Sequence, residues 1–232
     1  MLDNHTLSLI MPCRNEEGHL ASLINAVPAF YDEIILVCNA STDGTYRLAR
    51  SLESGTPRLR TIRDDRTING IGYGFAHMTG IDAASGDIIV CADSDGTYPI
   101  DDVPRILDDM TRRNLAFVSC SRYPADNIPW KLQLGVRTLN AEILMLYGLR
   151  LHDSLSGMWV FHRSVVPSLH LTEGDWNLSP QIKLNAYRYL GRRFGEVRIR
   201  QRVRSGSSKQ RYLVTGLRHL IWIAKNRFTP QV

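Results

Sequence analysis

The chain lacks the residue patterns that staple small proteins or hold transition metals. Its 232 residues include four cysteines, Cys13, Cys38, Cys91 and Cys120, and no C-x-x-C pair. That excludes a zinc ribbon and a thioredoxin-like redox motif. Each cysteine lies in or at the end of an apolar run, so all four are expected as reduced, mostly buried thiols in a reducing compartment. Seven histidines show no H-E-x-x-H or other paired-ligand spacing. His77, His152 and His162 lie near the motifs below, and structural or solvent-facing roles are expected of them. No Ser-His-Asp arrangement follows from residue order. No stretch approaches the roughly 18 apolar residues that span a bilayer; the late run at 220–224 is far shorter. Residues 1–6 are mostly polar and lead into no cleavable apolar segment, so no signal peptide is expected. The sequence shows no internal repeat, low-complexity tract or evident linker.

What is present suits a packed globular protein. A hydrophobic share of 44% beside 22% charged residues supports a core that needs no staples. The net charge of +5 suggests anionic partners: phosphates, phospholipid surfaces or nucleic acid. Charge alone does not choose among them.

Residues 7–11, 33–37 and 88–92 read as short buried strands, rich in Ile, Leu and Val. Residues 59–63 and 116–121 are weaker strand candidates. Helical stretches separate them, at 17–29, 45–54, 71–84 and 103–113. This alternation predicts an α/β protein with a parallel sheet and helices on its faces. Thr42 or Asp43 is placed to cap the helix that follows the second strand. Further on, 131–147 and 179–190 read as helices and 157–161 as a strand. Residues 194–204 read as a strand with Val197, Ile199 and Val203 on one face and Arg198, Arg200, Arg202 and Arg204 on the other. Residues 212–228 form a last amphipathic helix, with Leu213, Leu217, Leu220, Ile221 and Ala224 at helical spacing.

Asp93-Ser94-Asp95 is the strongest chemical signal, directly after a strand. In an extended segment, residues two apart face the same side. Both carboxylates are then expected in the crevice at the carboxyl end of the sheet, where open α/β sheets bind ligands. Two close carboxylates repel unless a cation joins them, and Mg²⁺ or Mn²⁺ shared with a diphosphate suits the pair. An acidic turn is the alternative; an EF-hand loop is excluded because its later ligands are missing. Gly70-Ile71-Gly72-Tyr73-Gly74 opens a helix whose N–H groups can meet a phosphate. It does not follow the first strand, which disfavours a Rossmann dinucleotide fingerprint.

Taken together these segments show a resemblance. Residues 9–17, Leu-Ile-Met-Pro-Cys-Arg-Asn-Glu-Glu, resemble the opening of glycosyltransferase family 2. Residues 34–45, ending Ser41-Thr42-Asp43-Gly44-Thr45, resemble its second motif. Gly72 through Ala83 and Gly86-Asp87, then Asp93-Ser94-Asp95, resemble its third and fourth. The second half resembles the dolichol- or polyprenol-phosphate sugar transferase branch. The matching residues are Ser121-Arg122-Tyr123, Arg137 with Asn140, Asp153-Ser154-Leu155-Ser156-Gly157-Met158 and Arg204-Ser205-Gly206-Ser207-Ser208-Lys209. The likeness weakens after about residue 211. Three positions depart from the pattern. Cys38-Asn39 stands for paired aspartates, Arg14 for an aromatic residue, and Gln181 for a glutamate.

The resemblance implies a GT-A fold, with a Rossmann-like mostly parallel sheet, a C-terminal acceptor-side region and an amphipathic terminal helix. It implies one domain over 1–211, with a nucleotide-sugar-binding half at about 1–115 and an acceptor half at about 116–211, and a terminal helix at 212–232. The implied activity is metal-dependent, inverting hexosyl transfer from GDP-mannose or a UDP-sugar to a polyprenyl or dolichyl phosphate. The implied donor contacts are Pro12, Arg14, Asn15, Glu16, Val37, Asn39, Asp43, Gly72, Asp93, Ser94, Asp95, Arg204 and Lys209. The implied acceptor contacts are Arg122, Arg137, Asn140, Ser156 and Gly157. Asp95, Arg122 and Arg137 are the implied catalytic residues, and Asp93 and Asp95 the ligands of Mg²⁺ or Mn²⁺.

A lipid monophosphate is already anionic at neutral pH, so it needs cations rather than a base. A soluble hydroxyl acceptor would need a carboxylate base, for which Glu173 or Asp175 is the candidate. The expected location is cytoplasmic, with the terminal helix either resting on the cytosolic membrane face or packed on protein. A separate membrane subunit is compatible with this. A non-catalytic nucleotide binder is a further alternative, given Cys38 and Gln181. Nucleic-acid binding is disfavoured, because no aromatics interleave the arginines at 198–204.

Overall fold

The computed structural model describes residues 4–125, 128–203 and 212–229. Seven strands form one sheet: β1 (Leu7–Cys13), β2 (Glu33–Cys38), β3 (Leu59–Arg63), β4 (Ile88–Cys91), β5 (Phe117–Arg122), β6 (Trp159–His162) and β7 (Phe194–Ile199). Their order is β3-β2-β1-β4-β6-β5-β7. Every pairing is parallel except the two made by β6. The expected mostly parallel α/β sheet is therefore present.

Period-two alternation places the core on both faces of the sheet. Leu7, Leu9, Met11, Ile34, Leu36, Ile88 and Val90 fall in one buried cluster. Ile10, Ile35, Val37, Ile89 and Cys91, one residue out of step, fall in another. The first face also carries residues of α1 (Leu20–Asn25), α2 (Thr45–Glu53) and α4 (Val103–Arg112). The second packs α3 (Tyr73–Ala83), α6 (Val166–Leu169) and α7 (Leu178–Leu190). A third cluster joins α5 (Trp130–Tyr147) to α8 (Tyr212–Phe228) through Leu139, Ile143, Leu184 and Ile223. All four cysteines are free and buried, as expected.

Three elements differ from the sequence reading. Helix α1 is shorter than the expected 17–29. Glu17 is drawn off to the Gly44 amide, and Pro28 disfavours helical geometry at Val27. Strand β7 stops at Ile199 rather than 204, because its partner β5 ends at Arg122, the residue opposite Ile199. The chain then leaves the sheet: Arg202 N–H donates to Thr97 O at 2.8 Å, and Val203, expected to face inward, is 77% exposed. The short helix α6 has too few residues to show a period.

Strand direction gathers the loops. Strands β1, β2, β4 and β5 all end at one edge, and the strand order branches in both directions from β1, between β2 and β4. That is the usual crevice of an open α/β sheet. Because β6 runs the opposite way, it begins at the edge where β4 and β5 end, so the preceding loop with Asp153 and Gly157 arrives there too.

Burial on both faces makes the central strands sensitive to truncation. Ile35→Ala should lower the unfolding free energy by about 2–5 kcal/mol. Leu213→Ala on the exposed side of α8 should stay within about 0.5 kcal/mol of wild type. Urea titration of both variants checks the contrast.

Candidate active site

The Asp93-Ser94-Asp95 segment leaves the end of β4 and is pinned by its neighbours. Ser94 Oγ donates to Pro12 O at 2.8 Å, tying the end of β4 to the end of β1. Asp95 is buried. Its Oδ1 accepts from Thr97 N at 3.0 Å and Thr97 Oγ1 at 2.6 Å, which fixes the turn through Gly96. Asp93 lines a small cavity of about 100 Å³ with Gly96, Tyr98, Asp101 and Arg202. Among the described residues, no group of three or more His, Cys, Asp or Glu side chains forms a closed metal cage. Two hard oxygen donors at a crevice suit Mg²⁺ or Mn²⁺, which complete their shells with water and substrate phosphate.

On the β2 side a cleft of about 500 Å³ is lined by Cys38, Ser41, Thr42, Asp43, Gly44, Tyr46, Arg47, Arg63 and Asp65. Several residues expected to touch a donor instead build the walls. Asn15, at φ +54°, accepts from Thr42 N at 2.8 Å through Oδ1 and donates to Thr42 Oγ1 through Nδ2. Glu16 N donates to Thr45 Oγ1, and its carboxylate meets His19. Asp43 accepts from Thr45 N at the start of α2. Arg14 donates to Gly70 O and so ties the first loop to the glycine run. The side chain of Val37, an expected donor contact, is fully buried in the cluster on the α3 face, which leaves its backbone as the part that could meet a donor.

Asn39 resolves a departure from the family pattern. It is buried, and its Nδ2 donates to Asp64 O at 2.6 Å and Arg66 O at 3.0 Å. The amide is thereby oriented, and its Oδ1 has no hydrogen-bond partner among the described residues. The amide therefore presents an acceptor, as a carboxylate would. Gly72 lies against it: a Cβ there would collide with Arg66 O and with the Asn39 amide. Asp64 supports the same corner by holding Arg66 at 2.7 Å and accepting from Thr79 Oγ1 at 2.6 Å. Cys13 and Cys38 stand opposite each other across β1 and β2 with Sγ atoms 3.1 Å apart.

The acceptor side is organised by Arg122. Its Nε and Nη2 donate to Asp153 Oδ2 and Oδ1 at 2.6 and 2.8 Å. The guanidinium expected to meet an acceptor phosphate is fixed in a buried pair. Two of its five N–H groups are spent there, and the remaining three have no partner among the described residues. Burial would raise the Asp153 carboxyl, but Arg122, with Lys183 behind it, holds it below the ordinary carboxylate range. Gly157 N donates to Tyr98 Oη at 2.6 Å. A Cβ on Gly157 would strike Tyr73 Oη and come within 3.1 Å of Asp93 Oδ1, so the loop lies directly against the Asp93 carboxylate.

Two further acceptor-side residues are braces rather than contacts. Asn140 donates to His152 O at 2.9 Å and accepts from Ser154 N at 3.1 Å. Ser156 is fully buried. Arg137 is exposed on α5, with no partner among the described residues. Gln181 accepts from Thr172 N and Glu173 N while donating to Thr172 Oγ1, a double role that no carboxylate can fill. Glu173 is raised by burial, against the bond it accepts from Trp222 of α8. Asp175 Oδ1 is taken by Asn177 N at 2.8 Å. Arg204 and Lys209 lie outside the described residues. Sequence reasoning missed Asp64, Tyr73, Tyr98 and Lys183 as site-shaping residues; Tyr73 lies inside the glycine run but was not singled out there, and the other three stand in no motif whose spacing signals a role.

Asp64 gives a pH test of this architecture. Hydrogen bonds from Arg66 pull its carboxyl from 3.8 to about 2. A depressed folded value means the contribution is complete above about pH 4 and is lost as pH falls toward 2. Asp64→Asn should therefore be less stable than wild type at pH 6, and the difference should shrink steadily between pH 4 and 2, as read by thermal unfolding across that range.

Comparison with known proteins agrees with this geometry. The family model for glycosyl transferase family 2 matches residues 8–169. The chain is 27% identical over 209 residues to a dolichyl-phosphate hexose transferase of Haloferax volcanii, covering 88% of this chain and 86% of that protein. It is 26% identical over 191 residues to the low-salt glycan biosynthesis hexosyltransferase Agl6 of the same organism, covering 78% of this chain but only 44% of Agl6. Among solved structures it resembles the glucosyl-3-phosphoglycerate synthase of Mycobacterium tuberculosis, crystallised with Mn²⁺, UDP-glucose and phosphoglyceric acid. The TM-score is 0.73 at 22% identity, over 98% of this chain and 82% of that one, a likeness of fold. With its sheet order, acidic crevice and family match in agreement, the chain belongs to glycosyl transferase family 2 and is a glycosyltransferase.

Proposed function

We propose that this chain transfers a hexose from a UDP- or GDP-linked donor to a polyprenyl or dolichyl phosphate, with inversion and with Mg²⁺ or Mn²⁺. The observation that carries the reading is the opposition of charge across one crevice. Asp93 lies on the β4 side, and Arg122, which feels the Asp93 charge, is fixed by Asp153 on the other. Asp93 and Asp95 would hold the ion, whose chemistry is to neutralise charge developing on the departing diphosphate. Asn39 Oδ1 would accept the ring N–H of uracil or guanine. The three spare N–H groups of Arg122 would orient the acceptor phosphate, with Arg137 collecting it from outside. Arg204 and Lys209 remain candidates for the donor diphosphate. In this reading the donor half is about 1–115, the acceptor half about 116–211, and 212–232 a terminal helix.

An acceptor phosphate already carries its charge, so no base is needed. The placement of Glu173 and Asp175 supports this, because one bonds Trp222 and the other caps Asn177. The alternative acceptor, a soluble hydroxyl compound, would require one of them. The name of the Haloferax dolichyl-phosphate hexose transferase supports the lipid acceptor.

The same reading places the protein on the cytosolic face of a membrane. Trp130, Leu134 and Met145 of α5 and Leu213, Leu217 and Ile221 of α8 are exposed. Helix α8 carries Arg218, Lys225 and Arg227 and no acidic residue. An apolar stripe edged by cations suits an anionic bilayer surface. No helix among the described residues is long and apolar enough to cross a membrane.

The test is a panel of UDP- and GDP-sugars with Mn²⁺ or Mg²⁺ and a short polyprenyl phosphate. Wild type should glycosylate the lipid from one donor class. Asp95→Ala should cut turnover by about a hundredfold or more, while the Glu173→Gln, Asp175→Asn double variant should keep it. Transfer that survives Asp95→Ala, or that needs no divalent ion, overturns the metal assignment; dependence on both acidic residues favours the hydroxyl acceptor. For the membrane, Leu217→Asp with Ile221→Asp should abolish co-sedimentation with phosphatidylglycerol vesicles. Undiminished binding would remove α8 as the contact.

A further inference from the structure

Lys183 sits in the middle of α7, fully buried, between the apolar residues Ile182 and Leu184. Among the described residues its ammonium makes no ion pair by contact. Nζ donates instead to the carbonyl oxygens of Asp153, Ser154 and Ser156 at 3.1, 2.8 and 2.9 Å. An ammonium has three donors, and all three are spent on one short stretch of backbone. That stretch turns three carbonyls inward, onto a fully buried side chain. Unpaired, each would carry its full desolvation penalty. The loop is thus folded around a single cation.

The outer side of the same loop faces the reaction crevice. Asp153 clasps Arg122 with both oxygens. Leu155 N donates to Asp153 Oδ1, Ser154 N to Asn140 Oδ1 and Gly157 N to Tyr98 Oη. The direction of the Arg122 fork and the approach of Gly157 to Asp93 both depend on the loop's path.

We propose that Lys183 is a positioning residue for the acceptor-side loop, setting the backbone path that aims Arg122 into the crevice. The role in transfer rests on the reading given under Proposed function; the role in the loop does not. The cleft lined by Cys38, Ser41, Thr42, Asp43 and Arg47 lies on the β2 and α2 side of the sheet, and the loop's bonds run to Arg122, Asn140 and Tyr98, so acceptor use should suffer more than nucleotide binding.

The surrounding charges make the device sensitive to pH. Burial pushes the Lys183 ammonium down to about 7; Asp153 and Glu196 of β7 pull it back up, and Arg122 of β5 pushes it down. The Cys120 thiol of β5 also faces it and stays protonated, raised by burial. His219 of α8 is held neutral near pH 7, its value lowered by burial to about 4. When Lys183 loses its proton it keeps only two N–H groups for three carbonyls, so acceptor use should decline on the alkaline side.

The experiment compares full-length wild type, Lys183→Met and Lys183→Arg. Hydrogen exchange of the 153–158 backbone, binding of the UDP or GDP that wild type takes, and acceptor kinetics are measured. In Lys183→Met, amides 154–157 should exchange about tenfold faster or more. Nucleotide Kd should change far less than kcat/KM for the acceptor, which should fall at least about tenfold. Lys183→Arg, charged at every working pH, should lose the alkaline decline. Wild-type exchange rates in Lys183→Met overturn the proposal, as does an equal loss of nucleotide affinity. Should Lys183→Met not fold, an alkaline decline that persists in Lys183→Arg overturns it. A wild type that glycosylates no phosphate acceptor refutes the function reading instead, and the exchange data still decide the loop.

Discussion

The buried pair between Arg122 and Asp153 is the interaction on which the loop between α5 and β6 depends. Removing two charges from water is expensive, and the cost is offset only when geometry is good and the remaining polar groups are satisfied. Here the fork is bidentate, Asp153 also accepts from Arg122 N and Leu155 N, and the cation of Lys183 lies behind the same loop. The two strands that bring the partners together are neighbours, β5 ending with Arg122 and β6 starting just after Gly157. The pair therefore joins secondary structure to site: the reversed strand supplies the carboxylate and the parallel strand supplies the cation.

A division of labour runs through the crevice. Most residues with conspicuous motif spacing hold loops to one another. Asn15 is bonded to Thr42, Ser94 to Pro12, and Asn140 to the 152–154 backbone. Fewer leave groups without a partner among the described residues: three donors of Arg122 and the acceptor oxygen of Asn39. Such an arrangement fixes donors and acceptors before a ligand arrives, which is the condition for strong electrostatic stabilisation in a site with little water.

Much of this was legible in the sequence. Buried strands in β1, β2 and β4 announce themselves as uninterrupted apolar runs, and strand–helix alternation predicts parallel pairing. The position of Asp93 and Asp95 follows from that topology alone. What the sequence hid has physical causes. Strand β6 looks like any short apolar run, and nothing in a four-residue segment reveals its reversed direction. The end of β7 is set by the length of its partner strand, not by its own alternation, so Val203, Arg200 and Arg202 leave the strand that the alternation predicts. Val37 sits in a motif yet points into the core, because period two forces it there. Lys183 and Asp64 act through backbone carbonyls and a neighbouring guanidinium, contacts between segments far apart in sequence. Arg122 was recognised, but its pairing with Asp153 is a tertiary fact.

The orientation of the Asn39 amide has a consequence for the electrical character of the cleft. Where the family pattern that residues 34–45 resemble has paired aspartates after the second strand, this chain has a thiol and a neutral amide. Oδ1 still offers a lone pair, yet the wall contributes no formal negative charge there, and the acceptor cannot be titrated away in mild acid. A polyanionic guest approaching from solvent would meet less repulsion at its base end, and hydrogen bonding at that end would stay constant across the pH range in which a carboxylate changes state.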